Sequence, residues 1–218
     1  MTADSSSLRQ TIAAGGWSGA FTDITIRALN HCCSFQILKC IFIGEPQPEF
    51  LTLSAEFQAR FLSAEELLTF AAFPANKLPE AFVREALAKG DECFGILEGE
   101  RLASYGWYSN KPTEIGDGGL AIHFDPRFIY MYKGYTHNHY RGKRLHAIGM
   151  TMALKAYRER GLGGIVSYVA ANNFASLKSC YRMGYQDFGS VLVAQHGKFF
   201  LAFHTPGCGR YGVKIRRM

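Results

Sequence analysis

The chain has 218 residues, 48% hydrophobic and 19% charged, a composition that fits one domain with a substantial core and excludes collagen, coiled-coil and wholly disordered classes. Its formal charge of +6 suits a polyanionic partner (nucleic acid, anionic lipid or a phosphate-rich cofactor) without choosing among them. The six cysteines, at 32, 33, 40, 93, 180 and 208, form no C-x-x-C pair and no metal-finger spacing, so they read as free thiols of a reducing compartment, the cytoplasm.

The start, MTADSSSLRQ, lacks the basic end and apolar core of a signal peptide, and Gln36 and Lys39 interrupt CCSFQILKCIFIG, so no membrane span is expected. Residues 1 to about 17 are rich in Ser and Gly and are expected to be loosely ordered. Ala20 to Cys33 fits a helix better than a strand, and Phe35 to Ile43 reads as a strand ended by Gly-Glu-Pro-Gln-Pro. Residues 1–55 are set apart as an N-terminal extension, and 56–218 as the main domain.

From Glu56 the pattern sharpens. Phe57 to Phe61 is strand-like, and Ser63 followed by Glu66 is the capping-box signature of a helix start. Pro79 to Ala88 predicts a second helix stopped at Lys89-Gly90. Phe94 to Glu98 and Leu102 to Ser109 predict a hairpin around Gly99-Glu100. After the Gly-rich run 116–119, Phe128 to Thr136 is aromatic and extended.

Leu145, Ile148, Gly149, Met152, Ala153 and Ala156 then mark one face of an amphipathic helix that Gly161 and Gly163-Gly164 stop. Ile165 to Ala170 predicts a buried strand and Phe174 to Met183 a short helix. Phe188 to Gln195 and Lys198 to His204 predict a closing hairpin across His196-Gly197. The tail with Arg210, Lys214, Arg216 and Arg217 reads as a solvated, frayed end.

The most informative stretch is HNHYRGKRLH, a basic turn between a strand and the amphipathic helix. The first N–H groups of a helix have no intrahelical partner and the helix dipole is positive there, so such a turn can hold phosphate, with Arg141, Lys143 and Arg144 adding charge.

The run YRGKRLHAIGMTMAL resembles the strand-loop-helix motif with which the GNAT acyltransferases wrap the pyrophosphate of acyl-CoA. AANNFASLKSCYRMGYQDFG is similar to their second motif. The two span about residues 130 to 190, and the looser order of elements extends from about 56 to 204.

The resemblance implies an α/β (α+β) fold: a mixed, mainly antiparallel central sheet flanked by helices, with a V-shaped splay between two central strands. It implies transfer of an acetyl or other acyl group from acyl-CoA to an acceptor, usually an amine, by direct attack. The donor would be held by the backbone at Tyr135 and Thr136, by Arg141, Gly142, Lys143, Arg144, Leu145 and His146, and by Asn173 and Ser176. Arg144 and His146 stand where the family carries glycine or another small residue. The Tyr expected four residues before Gly184 is Cys180 here, with Tyr181 next to it, so Tyr181 is either the acid that protonates the leaving thiolate or, by its stripe with Phe174 and Leu177, a packing residue.

No carboxylate lies on the strand that ends at Thr136. His123 and His137 are therefore candidate bases, as is Asp125 if burial raises its pKa. His137 and His139 have no third ligand at a convincing spacing, so no metal is expected. A nucleic-acid partner is not expected either, because a polyphosphate donor already accounts for the basic charge. Competing readings keep the fold but make it a non-catalytic acyl-CoA binder, or use an aminoacyl-tRNA or acyl-carrier donor. The acceptor is not written in the sequence, and residues 1–55 either cover its site or form a homodimer contact.

Overall fold

The computed structural model describes residues 16, 19, 21–30, 33–116 and 119–218. The expectations for residues 1–15 and Cys32, and for part of the Gly-rich run, lie outside them. In chain order the regular elements begin with a helix, α1, over residues 21–29, then β1 (Ser34–Ile43), β2 (Phe57–Phe61), α2 (Ala64–Ala71) and α3 (Glu80–Lys89). The middle of the chain forms β3 (Glu92–Glu98), β4 (Arg101–Ser109), β5 (Thr113–Ile115), β6 (Leu120–His123) and β7 (Ile129–Thr136). Then come α4 (Leu145–Glu159), β8 (Ile165–Ala170), α5 (Phe174–Arg182), β9 (Gln186–His196), β10 (Phe199–His204) and β11 (Lys214–Arg217).

The chain forms two compact units. One takes in Ile43–Thr113 and Phe124–Ser167, the other Met1–Phe42, Glu114–His123 and Tyr168–Met218. The expected boundary near residue 55 falls inside the unit that starts at Ile43. Among the described residues no helix is long and apolar enough to cross a membrane.

In the unit starting at Ile43, β2, β3, β4 and β7 are antiparallel neighbours in that order, and β7 is parallel to β8. Local chemistry sets the helices. Ser63 Oγ accepts from the Glu66 N–H at 3.2 Å while a Glu66 carboxylate oxygen accepts from the Ser63 N–H at 2.9 Å, so two otherwise orphaned donors of α2 are satisfied. Gly90, at φ 90°, turns the chain out of α3 in the left-handed conformation that glycine adopts without a Cβ penalty.

α2 and α3 bury Leu67, Phe70, Val83 and Ala86 with Leu97, Leu102, Tyr105 and Trp107 of the sheet. Each large side chain so buried contributes about 1.5–3 kcal/mol. α4 buries Leu145, Met150, Leu154 and Tyr157. β4 is buried at every position after Arg101, so it reads as a continuous apolar run rather than an alternation.

β7 has two irregularities. Its pairing with β4 skips Tyr132, since Trp107 faces Lys133 and Tyr108 faces Met131, a bulge that twists the strand. Its parallel pairing with β8 covers only Ile129 with Ile165 and Tyr130 with Val166, after which the Ser167 hydroxyl donates to the Met131 carbonyl at 2.8 Å. From Tyr132 onward the outer edge of β7 has no strand ladder among the described residues.

In the other unit the order is β10, β9, β1 and the C-terminal half of β8. β1 runs antiparallel to β9 from Ser34 opposite Gln195 to Phe42 opposite Gln186, with a bulge at Cys40/Ile41. A second sheet has the order β11-β6-β5.

That second sheet corrects the reading of the tail as frayed. Lys214–Arg217 is a strand antiparallel to β6, Ile215 is buried, and its N–H donates to His204 Nε2 at 2.9 Å. Val213 and Ile215 alternate with Lys214 and Arg216, a period of two hidden under the charge. Packing of Tyr181 into a core stripe is corrected as well: the side chain is 44% exposed and its hydroxyl donates to Asp187 at 2.9 Å.

Candidate active site

The basic turn after β7 is anchored by an aromatic residue. Asn138–Tyr140 makes one 3-10 turn, the buried Tyr140 hydroxyl donates to Glu98 Oε2 at 2.7 Å, and its ring meets Phe57 edge-on with centroids 6.0 Å apart. Beyond it Gly142 and Arg144 both take positive φ, 85° and 59°. Arg144 is the residue at the start of α4, and no side chain caps that start. The first intrahelical bond runs from the Ile148 N–H to the Arg144 carbonyl, so the amides of Leu145, His146 and Ala147 are left for an outside acceptor.

Arg141, Lys143 and Arg144 are exposed around this start. The Lys143 ammonium lies over the Phe57 ring at 5.1 Å and the Tyr140 ring at 5.7 Å, while neither Arg141 nor Arg144 has an ion pair among the described residues. Uncapped amides, an aligned helix dipole and two unpaired guanidinium groups suit a pyrophosphate such as that of acyl-CoA.

The glycine that close approach demands here lies elsewhere. A Cβ on Gly134 would stand 2.6 Å from His146 Cε1 and 2.9 Å from the Met131 methyl, so the histidine ring packs directly on the strand backbone. Burial lowers the His146 pKa from its ordinary value, which favours the neutral ring.

On the other side of β7 a cleft of about 860 Å³ opens in the same unit. Phe70, Phe73, Leu97 and Leu102 form its apolar walls, and Arg60, Glu65, Glu66, Glu100 and Arg101 supply its charges. Arg60 and Glu66 neutralise each other in a two-pronged pair, and with the Ser63 N–H this holds the Glu66 carboxyl down to about 2. Glu65, Glu100 and Arg101 make no ion pair among the described residues.

His137 lines this cleft, and its protonation is fixed by a neighbour distant in sequence. Asn76 is buried, and its amide nitrogen donates to the Phe70 carbonyl at 2.8 Å, which turns its oxygen toward His137 Nε2, also at 2.8 Å. An amide oxygen only accepts, so Nε2 carries the hydrogen and Nδ1 keeps the lone pair. Burial lowers the His137 pKa. The Tyr105 hydroxyl donates to the carbonyls of Asn76 and Lys77 at 3.0 and 3.1 Å and pins the turn that carries Asn76. The arrangement is a neutral, oriented imidazole with one free basic nitrogen in a half-apolar cleft.

The strand amides differ in direction. The His137 N–H donates to the Ala103 carbonyl, so by the alternation of an antiparallel ladder Tyr135 also points its N–H at β4, while Thr136 and Gly134 point theirs away. Of the two strand residues expected to hold the acyl donor through their backbone, Thr136 is therefore the one whose N–H points outward. Its hydroxyl lies 2.8 Å from Ser104 Oγ, which itself hydrogen-bonds the Tyr135 carbonyl at 3.0 Å.

The structure thus brings His137 and the turn Arg141–His146 together in the unit starting at Ile43. Asn173, Ser176, Tyr181 and His123 lie in the other. There Asn173 caps α5, its side-chain oxygen accepting from the Ser176 N–H at 3.2 Å. Tyr181, through burial and its bond to Asp187, has its phenol pushed up to about 12, and burial pushes the Cys180 thiol up to about 11. His123 ends β6 opposite Lys214. Asp125 is corrected as a raised-pKa base: it is bound to the Arg127 side chain and N–H, which lower its pKa. Asn76 and Tyr105 have no sequence signal as site residues.

No model of a known protein family matches the chain, and no curated protein matches it. Solved structures do. A GCN5-related N-acetyltransferase-like protein from Streptococcus suis superposes with a TM-score of 0.52 at 15% identity, covering 81% of this chain and 67% of that one. A tandem GNAT protein from the clavulanic acid biosynthesis pathway gives 0.52 at 11% identity, with 84% and 58% covered. A GNAT-family acetyltransferase from Colwellia psychrerythraea gives 0.50 at 14%, with 74% and 56% covered. The chain therefore spans about two thirds or less of these structures' lengths. With the mixed sheet, the bulged β7 and the uncapped start of α4, these likenesses establish that the chain has the fold of the GNAT superfamily of N-acyltransferases.

Proposed function

We propose that the protein is an acyltransferase that moves an acetyl or other acyl group from acyl-CoA to an amine. The observation that carries this reading is the start of α4, where uncapped amides stand between the unpaired Arg141 and Arg144 on a GNAT fold. Those amides and guanidinium groups would hold the pyrophosphate, with Gly142 and Lys143 shaping the turn. Asn173 and Ser176 are proposed donor contacts by their match to the second motif.

Bound acyl-CoA supplies an activated thioester whose carbonyl carbon takes the amine nitrogen, yielding an amide and the CoA thiol. The chain's own part is to orient and to move a proton. His137 Nδ1, left with the free lone pair by the tautomer that Asn76 fixes, takes the amine's proton, and the outward N–H of Thr136 offers a hydrogen bond to the carbonyl oxygen. The apolar walls of the cleft and the carboxylates Glu65 and Glu100 suit an acceptor with a hydrophobic body and a protonated amine. Buried free thiols at Cys40, Cys93 and Cys208 speak for a cytoplasmic setting.

One observation favours a non-catalytic acyl-CoA binder: the Tyr181 hydroxyl is committed to Asp187 and is a weak acid. Calorimetry with CoA and acetyl-CoA, followed by release of free thiol against a panel of amines, tests both readings. Binding with amine-dependent thiol release supports the enzyme, binding without it the binder, and no binding overturns both.

A further inference from the structure

β10 lies at the end of its sheet order and, among the described residues, pairs only with β9. An antiparallel sheet with one wet face alternates apolar inward with polar outward, and an edge strand is ordinarily protected by charge or proline. β10, FFLAFH, does neither. Phe199, Leu201 and Phe203 project to one face and are 82%, 70% and 62% exposed.

The register extends that face inward. Phe203 stands opposite Leu192 and so beside Ile37, and Leu201 stands opposite Ala194 and so beside Phe35. The face carries no charged side chain at these positions. The opposite face of the same strands holds Val191, Val193 and Leu38, all buried, so the unit's packing already uses it. The sheet therefore has two apolar faces, of which the described residues cover one.

We propose that the face bearing Phe199, Leu201 and Phe203 is the contact between two copies of this chain, packed face to face about a two-fold axis near Leu201. The spacing is self-complementary: Phe199 and Phe203 flank Leu201 symmetrically, so the axis lays Phe199 of one copy on Phe203 of the other, as an isologous interface requires. From their exposures the three side chains present on the order of 400 Å² of apolar surface per copy, about half of what one partner gives to a standard interface. Phe35, Ile37 and Leu192 lie alongside to supply more. Joining the two edges in one longer sheet would leave the same face wet, so packing by faces is the arrangement that covers it. This inference does not depend on the proposed reaction.

Sedimentation velocity across a concentration series from micromolar upward tests it, comparing the full chain with Leu201→Glu, Phe199→Asp and, as a charge control in the exposed turn, Lys198→Glu. The expected result is a mass of twice 24.3 kDa for the wild type and for Lys198→Glu. Leu201→Glu and Phe199→Asp, both at exposed positions and with unchanged circular dichroism, should weaken the dimer by ~30-fold or more, the loss of a central anchor. A wild type that stays at one chain's mass throughout overturns the proposal. So does a dimer that both face variants leave intact.

Discussion

Arg144 separates backbone strain from ligand contact at a single residue. An L-residue held at φ 59° loses roughly 1–2 kcal/mol against its relaxed conformation, a loss glycine avoids. Arg144→Gly relieves that strain but gives the unfolded chain more freedom, a counter-term of about 0.4–1 kcal/mol. The balance is a gain of about 0.7 kcal/mol, or ~2 °C in melting temperature for a chain of this size. Arg144→Ala keeps the strain and loses the guanidinium. If the guanidinium meets a phosphate, both variants should bind CoA about tenfold more weakly, one exposed charge-assisted contact. The assay pairs thermal denaturation with calorimetric titration of CoA. Two equally stable variants would refute the strain account, and unchanged CoA affinity in both would remove Arg144 from the phosphate site.

Five further outcomes are expected. His137→Gln should lower kcat by ~10²-fold or more with CoA binding intact, and Asn76→Ala should lower it less while disturbing the pH profile, both read by steady-state kinetics. Because burial lowers the His137 pKa, the acid limb of kcat/KM should lie below 6.5. His137, His146 and His204 all have lowered pKa values, so the unfolded chain takes up protons first; stability should be full above pH 6.5 and fall as pH drops through the lower folded values, as denaturant titrations at several pH values would record. Gly134→Ala should cost about 1–3 kcal/mol, seen in urea unfolding, because its methyl meets the His146 ring.

The order of elements was legible because each carries a local signature: the Ser63–Glu66 box, the Gly90 stop, the Gly99-Glu100 hairpin and the α4 periodicity all rest on interactions within a few residues. β11 escaped because charge masked its alternation, and Tyr181 was misplaced because a helical stripe does not say which face is covered. The proposed base could be narrowed to a few residues and no further. What distinguishes His137 from His123 is Asn76, sixty-one residues earlier, and a hydrogen bond across that separation leaves no mark in spacing.

The turn before α4 departs from its expected motif in a chain that is 15% or less identical to solved structures of the same fold. Its expected signature is glycine, yet what the site needs is a positive φ and free amides, and every residue but proline has an amide to offer. Gly142 meets the backbone demand at no cost and Arg144 meets it with strain, placing a guanidinium where a glycine would place nothing. A side chain that accepts strain at an anion-binding helix start is accounted for if its charge is used there. On that reasoning the proposed phosphate site would draw part of its affinity from Arg144. The discriminating comparison is salt dependence: CoA affinity of the wild type should fall more steeply with ionic strength than that of Arg144→Gly, and parallel slopes would show that the backbone alone holds the phosphate.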